Sequence, residues 1–252
     1  MLAVPTIIAL VVAAFCAGTV DAIAGGGGLI TLPALLTAGV PYRLALGTNK
    51  GGSMWGSGAA SVSFWRAGRI DRTQALFAFP LGFVGSIIGA NLVLGISKEA
   101  LRPVVIGLLI FAAVVLVLKK PARPTEEDQP KRRWVAALLA LVVGAYDGFF
   151  GPGTGTFLIV GFVALCGRSL LGASADAKIV NFASNLAAVA IFAWRGTILW
   201  QVALPMAAGQ LLGGIVGARL ALEGGAKLVR VMVLVVSGAL IAKLAYDLIT
   251  AS

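Results

Sequence analysis

Long apolar runs fill this chain of 252 residues almost from end to end. Ten runs stand out between short polar or glycine-rich stretches, and a helix crosses a bilayer with about 20 apolar residues. The chain is therefore predicted to be an all-α polytopic membrane protein with about ten membrane elements. The predicted helices lie at 4–23, 29–40, 44–65, 73–95, 101–118, 134–150, 154–166, 174–194, 199–221 and 228–249, of which the second and seventh are short.

The composition agrees with a membrane protein, since 59% of the residues are apolar and 12% are charged, about half the charged fraction of a soluble domain. The net charge of +10 comes mainly from basic residues between the apolar runs, where they determine topology, so we expect no nucleic-acid partner.

The chain has no His, and Cys16 and Cys166 lie far apart, so neither a metal site nor a disulfide is indicated. Because no basic residue precedes the first apolar run, we expect that helix to be retained rather than cleaved as a signal peptide. No cofactor is expected.

An internal repeat divides the chain at its one hydrophilic stretch, 119–133, which holds three Pro and nine charges. An offset of 128 residues aligns 50–92 with 178–220 without a gap, and 13 of the 43 positions are identical, against about four expected by chance. An offset of 126 places Gly18, Asp21, Gly25 and Gly27 on Gly144, Asp147, Gly151 and Gly153. We predict a first membrane repeat at 1–118, a charged cytoplasmic linker at 119–133 and a second membrane repeat at 134–252.

The distribution of basic residues indicates how the two five-helix repeats are oriented. If the short helices cross the bilayer, the repeats are inverted and both termini lie outside, with 13 basic residues in the inside loops against five outside. If the short helices are re-entrant, the count is 11 against seven. The positive-inside rule favours inverted repeats, and the choice between crossing and re-entrant short helices stays open.

Glycine interrupts one apolar segment in each half, in GTVDAIAGGGGLITLP (18–33) and GAYDGFFGPGTGTFLI (144–159). Glycine lets the backbone unwind, and the N–H groups at the start of the following helix form an anion site. Two such breaks are typical of transporters with a midplane site between repeats, and the alternative is that the glycines only allow close helix packing. The residues predicted to bind substrate here are Gly25, Gly26, Gly27, Gly28, Gly151, Gly153 and Thr154.

A polar stripe lies on the third helix of each half, where Lys50, Ser53 and Ser57 recur as Lys178, Asn181 and Asn185. The spacing of three and seven residues places each triplet on one helical face. An ammonium beside small hydrogen-bonding groups suits an oxyanion, so we predict that these residues, with Asn49, bind substrate. The alternative is that each Lys lies near a helix start and extends to the membrane surface.

Two acidic residues, Asp21 and Asp147, each lie four residues before a glycine break. A carboxylate inside a membrane marks a functional site by default, so these two and Asp176 are candidates for proton coupling. A structural role is the alternative, in which each Asp neutralises a Lys or caps a broken helix. No phosphate-binding loop, Ser-His-Asp set or His/Cys cluster is present in the sequence, so no enzymatic activity is expected.

These motifs resemble the TauE/SafE sulfite-exporter family of anion permeases over nearly the full chain. The resemblance rests on G-x-x-x-A-x-A-G-G-G-G-L-I-x-x-P (18–33), G-T-N-K (47–50) and G-x-x-D-G-x-x-G-x-G-x-G (144–155). It implies a secondary transporter in the bacterial inner membrane for sulfur-containing or carboxylate anions such as sulfite or organosulfonates.

Two rival functions remain open from the residues, a passive anion channel and a non-transporting scaffold subunit. The expected partners are a small anion and the lipid bilayer, and a homodimer is left open.

Overall fold

The computed structural model describes residues 2–96 and 133–250, with side chains as far as 236. These residues form eight helices and no strand. The helices are α1 (Val4–Ala24), α2 (Gly28–Thr37), α3 (Tyr42–Arg66), α4 (Arg72–Gly95), α5 (Arg133–Phe149), α6 (Thr154–Cys166), α7 (Leu170–Trp194) and α8 (Trp200–Thr250). The all-α class is confirmed for this part of the chain. The predicted helix at 101–118 and the linker up to residue 132 lie outside the described residues, so the count of ten elements stays a prediction.

The observed helices begin and end close to the predicted positions, with two differences. α7 begins four residues before the predicted start at 174, because Ser169 caps it by accepting a hydrogen bond from the Gly172 N–H at 3.2 Å. The last two predicted helices lie in the single element α8. Its backbone leaves helical angles at Gly225, with φ 56° and ψ −155°, between the two predicted ranges.

The outer faces of the helices are apolar, while many polar side chains are buried. Three of the described helices, α1, α4 and α7, are long and apolar enough to cross a membrane. Exposed apolar residues include Val4, Ile8 and Val12 on α1, Leu76, Ile88 and Leu92 on α4, and Leu138 and Val142 on α5. Because a soluble protein buries such side chains and exposes polar ones, this surface is suited to lipid.

Helices of one half pack closely against helices of the other, α1 along α8 and α4 along α5. Glycine makes both approaches possible, because a Cβ at Gly85, Gly89, Gly213 or Gly217 would overlap the backbone of the partner helix. Gly85 and Gly89 face the carbonyls of Leu141 and Ala145, as Gly213 and Gly217 face those of Phe15 and Thr19. These equivalent contacts follow the offsets of 128 and 126 residues found in the sequence, so each half contacts the other in the same way.

The two glycine breaks meet between the halves. The Thr156 amide donates to the Gly25 carbonyl at 3.3 Å, and the Thr156 hydroxyl donates to the Ala24 carbonyl at 2.8 Å. A Cβ on Gly25 would overlap the backbone of Gly155. The breaks therefore lie in direct backbone contact, and side chains of α3 and α7 close the space around them.

Candidate functional site

The backbone of the breaks explains why glycine recurs there. Gly25, Gly151 and Gly153 have φ values of 81°, 97° and 83°, a left-handed conformation that costs other residues strain. Gly27 differs, since its φ is −56°, and its N–H donates to Asp21 Oδ1 at 3.2 Å. Unusual backbone angles therefore require glycine at the first three positions, whereas close packing requires it at Gly27, where a Cβ would lie 2.8 Å from the Asp21 Cβ.

Lys50 forms a buried ion pair with Asp147, with 2.7 Å between Nζ and Oδ1. Its ammonium also donates to Asn185 Oδ1 at 3.0 Å, and the Asn185 amide donates to the Ser57 hydroxyl at 3.2 Å. The Asp147 carboxylate accepts from the Thr154 hydroxyl at 2.8 Å and from the Ser184 hydroxyl. This pair joins α3 to α5 and α7 through one hydrogen-bonded network.

Lys178 forms the equivalent pair with Asp21, at 2.9 Å between Nζ and Oδ2. The same ammonium donates to the Asp21 carbonyl at 2.6 Å. Lys178 is fully buried, while the Asp21 side chain is 24% exposed. Both lysines lie in the interior rather than extending to a surface, and each pairs with an aspartate, as the structural alternative for these aspartates expected.

A small cavity lies between the two breaks. Nine of the predicted substrate-binding residues line it together with Asp21 and Asp147, namely Gly27, Gly28, Asn49, Lys50, Ser53, Gly151, Thr154, Asn181 and Asn185. Other predicted residues are absent from the lining, namely Gly25, Gly26, Ser57, Gly153 and Lys178. Gly25 and Gly153 shape the breaks, Ser57 supports Asn185, and Lys178 lies behind Asp21.

Asp176 is not among the residues that line the cavity. Its carboxylate accepts hydrogen bonds from Arg168 Nε at 2.6 Å, from the Asp71 N–H at 2.9 Å and from Gln74 Nε2 at 3.1 Å. These contacts tie the start of α7 to the start of α4. The structure thus separates Asp176 from Asp21 and Asp147, with which the sequence grouped it.

Two residues that line the cavity, Gln210 and Gly155, were not predicted from the sequence. Gln210 is buried on α8, where an amide inside an apolar run is itself a signal of a functional position. The repeat conceals it, because the equivalent residue of the first half is Gly82. Gly155 belongs to the glycine motif at 144–155, but the predicted anion site ended at Thr154, the first residue of the predicted helix.

Two features together define the class of this protein: helices with an apolar exterior, and a cavity in which interior charges of both halves converge. This construction is that of a membrane transporter. The sequence matches the family described as Sulfite exporter TauE/SafE over residues 10–244, and the chain belongs to that family.

The relatives support the same class. A protein of Sinorhizobium sp., named "Probable membrane transporter protein ORF9", is 41% identical over 94% of this chain and 92% of its own length. "Probable membrane transporter protein" of Haemophilus influenzae is 40% identical over 92% of both chains. "Probable membrane transporter protein YfcA" of Escherichia coli K12 is 39% identical over 93% of this chain and 87% of its own. No solved structure matches the chain.

Proposed function

We propose that this chain is a multi-pass secondary transporter of the bacterial inner membrane that moves small sulfur-containing or carboxylate anions without converting them. The anion binds in the cavity between the two breaks. The observation that carries the proposal is the Lys50 ammonium, which lines this cavity and has three N–H donors. Asp147 and Asn185 accept two of them, which leaves the third for a ligand oxygen. The family description, a sulfite exporter, supports the sulfur oxyanions within this class.

Neutral polar groups around Lys50 would orient the anion. Asn49, Ser53, Thr154 and Asn181 line the same cavity. The Asn181 Oδ1 atom is buried, and no hydrogen-bond partner is found for it in the described part of the chain. A half-turn of this amide would exchange its oxygen and nitrogen, so that the NH₂ group donates to the bound anion.

Inverted repeats would supply the movement that exposes the cavity to each side in turn. The α1–α8 and α4–α5 pairs pack through glycines at equivalent positions, which supports two related halves, and the distribution of basic residues supports their inversion. In such transporters one bundle moves against the other around a fixed midplane site. The short helices α2 and α6 would start at that site, and the linker would lie in the cytoplasm.

The first experiment is a thermal-stability screen of the purified protein with sulfite, methanesulfonate, sulfoacetate and acetate. A ligand that binds only the folded state raises the unfolding temperature, so at least one of these anions should do so in a saturable manner. Counterflow of the same anion in liposomes then separates a transporter from a passive channel. A protein that none of these anions stabilises would contradict the proposal and favour the scaffold.

A further inference from the structure

We infer that binding of one monovalent anion is coupled to the uptake of one proton by the carboxylate of Asp21. This inference rests on the proposed function and deepens it. Its starting point is the charge in the site, where two lysines and two aspartates form two complete ion pairs. A bound anion would add one uncompensated negative charge in the interior, which is costly at membrane depth. One positive charge must therefore enter with the anion.

The two carboxylates are not equally suited to receive a proton. Asp147 is 6% exposed, and its oxygens accept from Lys50, Thr154 and Ser184. Asp21 is 24% exposed, and its oxygens accept from Lys178 and from the Gly27 N–H. Asp21 therefore accepts fewer hydrogen bonds than Asp147 and is more exposed. These differences assign the proton to Asp21.

The groups that face Asp21 from neighbouring helices are consistent with this assignment. Lys178 of α7 touches it, and Lys50 of α3 and Asp147 of α5 line the same cavity. α2 and α6 hold no charged residue. α8 contributes the neutral Gln210 to the lining, and its ionisable residues with described side chains are exposed, namely Arg219, Glu223, Lys227 and Arg230. Lys178 is therefore the ion-pair partner whose charge becomes available when Asp21 is neutral.

The coupling step can be followed atom by atom. A hydronium ion from the solvent transfers its proton to an oxygen of the Asp21 carboxylate and leaves as neutral water, so the Asp21–Lys178 pair changes from neutral to a single positive charge. Lys178 retains the Asp21 carbonyl as an acceptor, at 2.6 Å. The entering anion restores neutrality and takes its direct hydrogen bond from Lys50. No bond between heavy atoms forms or breaks.

Calorimetry on the wild-type protein tests the coupling. Methanesulfonate is the probe, because it remains ionised at neutral pH and releases no proton of its own. Titrations in buffers of different ionisation enthalpy should show uptake of about one proton per anion, with a Kd that rises about tenfold for each unit of increasing pH. Binding without proton uptake between pH 5.5 and 8.5, or binding that needs sodium instead, would overturn the coupling while leaving the proposed function intact. Absence of anion binding would contradict both.

Infrared difference spectra test which carboxylate takes the proton. Anion binding should produce the C=O band of a protonated carboxylic acid. Asp21→Glu should shift this band and Asp147→Glu should leave it in place, since each variant keeps a carboxylate and changes only its chain length. A band that moves in Asp147→Glu and stays in Asp21→Glu would overturn the assignment to Asp21.

Discussion

Each lysine of the site is paired with an aspartate of the opposite half. Lys50 of the first half binds Asp147, and Lys178 of the second half binds Asp21. The removal of one partner from a buried pair leaves an uncompensated charge, which typically costs about 3–5 kcal/mol. These residues consequently hold the halves together, and all of them except Lys178 also line the cavity. For substitutions in the two ion pairs, ligand affinity and protein stability must therefore both be measured.

Lys50→Met should weaken anion binding without changing the shape of the cavity greatly. A hydrogen bond from a charged donor contributes about 1.5–3 kcal/mol, which corresponds to a Kd about 10- to 150-fold higher. Arg66→Met is the matched control, because Arg66 lies exposed at the end of the same helix and its loss changes the net charge equally. Calorimetry with methanesulfonate measures both. Equal affinities in the two variants would contradict a direct role for Lys50.

The sequence could predict which residues are equivalent, but it could not predict which residues touch. The repeat related Lys50 to Lys178 and Asp21 to Asp147, yet the observed partners are remote in the chain: Asp21 and Lys178 are 157 positions apart. Asp176 was grouped with the other two aspartates because composition alone does not separate carboxylates that lie in similar apolar runs. The partner of Asp176 is Arg168, which follows the end of α6. Because basic residues at a helix end usually indicate topology, the sequence did not indicate this pairing.

At the scale of elements, the breaks depend on two different properties of glycine, conformational freedom and small size. Gly25 requires both, since its φ is 81° and it contacts the backbone of Gly155. Gly39, which follows α2, has a φ of 80° and would meet nothing within 4 Å if it carried a Cβ. The two positions therefore allow backbone strain to be measured apart from close contact.

Gly25→Ala should lower stability and abolish anion binding, because the added methyl group separates the two breaks. Gly39→Ala should lower the free energy of unfolding only by the strain of an alanine in the left-handed conformation, about 1–2 kcal/mol. This variant should bind anion normally. Overpacking at Gly25 adds about 1–3 kcal/mol to that cost. Thermal unfolding and methanesulfonate titration of both variants provide the measurements. Normal binding by a folded Gly25→Ala protein would show that contact between the breaks is not needed for the site.

A second element-scale prediction concerns the contact between α4 and α5. A Cβ at Gly89 would overlap the Ala145 carbonyl, whereas a Cβ at Gly95 on the same helix would meet nothing within 4 Å. Gly89→Ala should therefore destabilise the protein by about 1–3 kcal/mol, and Gly95→Ala should not. Thermal unfolding in detergent measures the difference. Equal unfolding temperatures of the two variants would mean that α4 and α5 can move apart at Gly89 with little loss of stability.

Helix positions followed well from the sequence because apolar runs and glycine breaks are local features. α6 was predicted to span 154–166 and is observed as Thr154–Cys166. The start of α7 was misplaced because the Ser169 cap precedes several small and polar residues, which interrupt the apolar pattern. The contact between the two breaks could not be predicted, since it joins backbone atoms of separate halves and leaves no mark in either local pattern.

In the molecule as a whole, each half contacts the other through residues at equivalent positions. The two ion pairs, the two glycine helix contacts and the two breaks all join the halves reciprocally. Such reciprocity is expected of two similar units related by a twofold axis. The axis direction relative to the bilayer is what separates inverted from parallel repeats, and the basic residues of the loops predict that it lies in the membrane plane.

Residues at equivalent positions should therefore lie on opposite sides of the membrane. Ala67 and Arg195 are separated by the repeat offset of 128, and each follows the last residue of its helix, α3 or α7. Both are exposed, so a cysteine at either position is accessible to a reagent. In a background without Cys16 and Cys166, a membrane-impermeant thiol reagent added to intact cells should label Arg195→Cys and not Ala67→Cys.

Permeabilised cells provide the control for this labelling, because both cysteines should then react equally. The expected asymmetry follows from inverted repeats with the Arg66–Arg72 loop in the cytoplasm, where the positive-inside rule places it. Parallel repeats would instead put both cysteines on one side, so that intact cells label either both variants or neither. That result would contradict the inverted arrangement. It would also contradict the proposed mechanism, in which movement between two related halves opens the cavity to each side in turn.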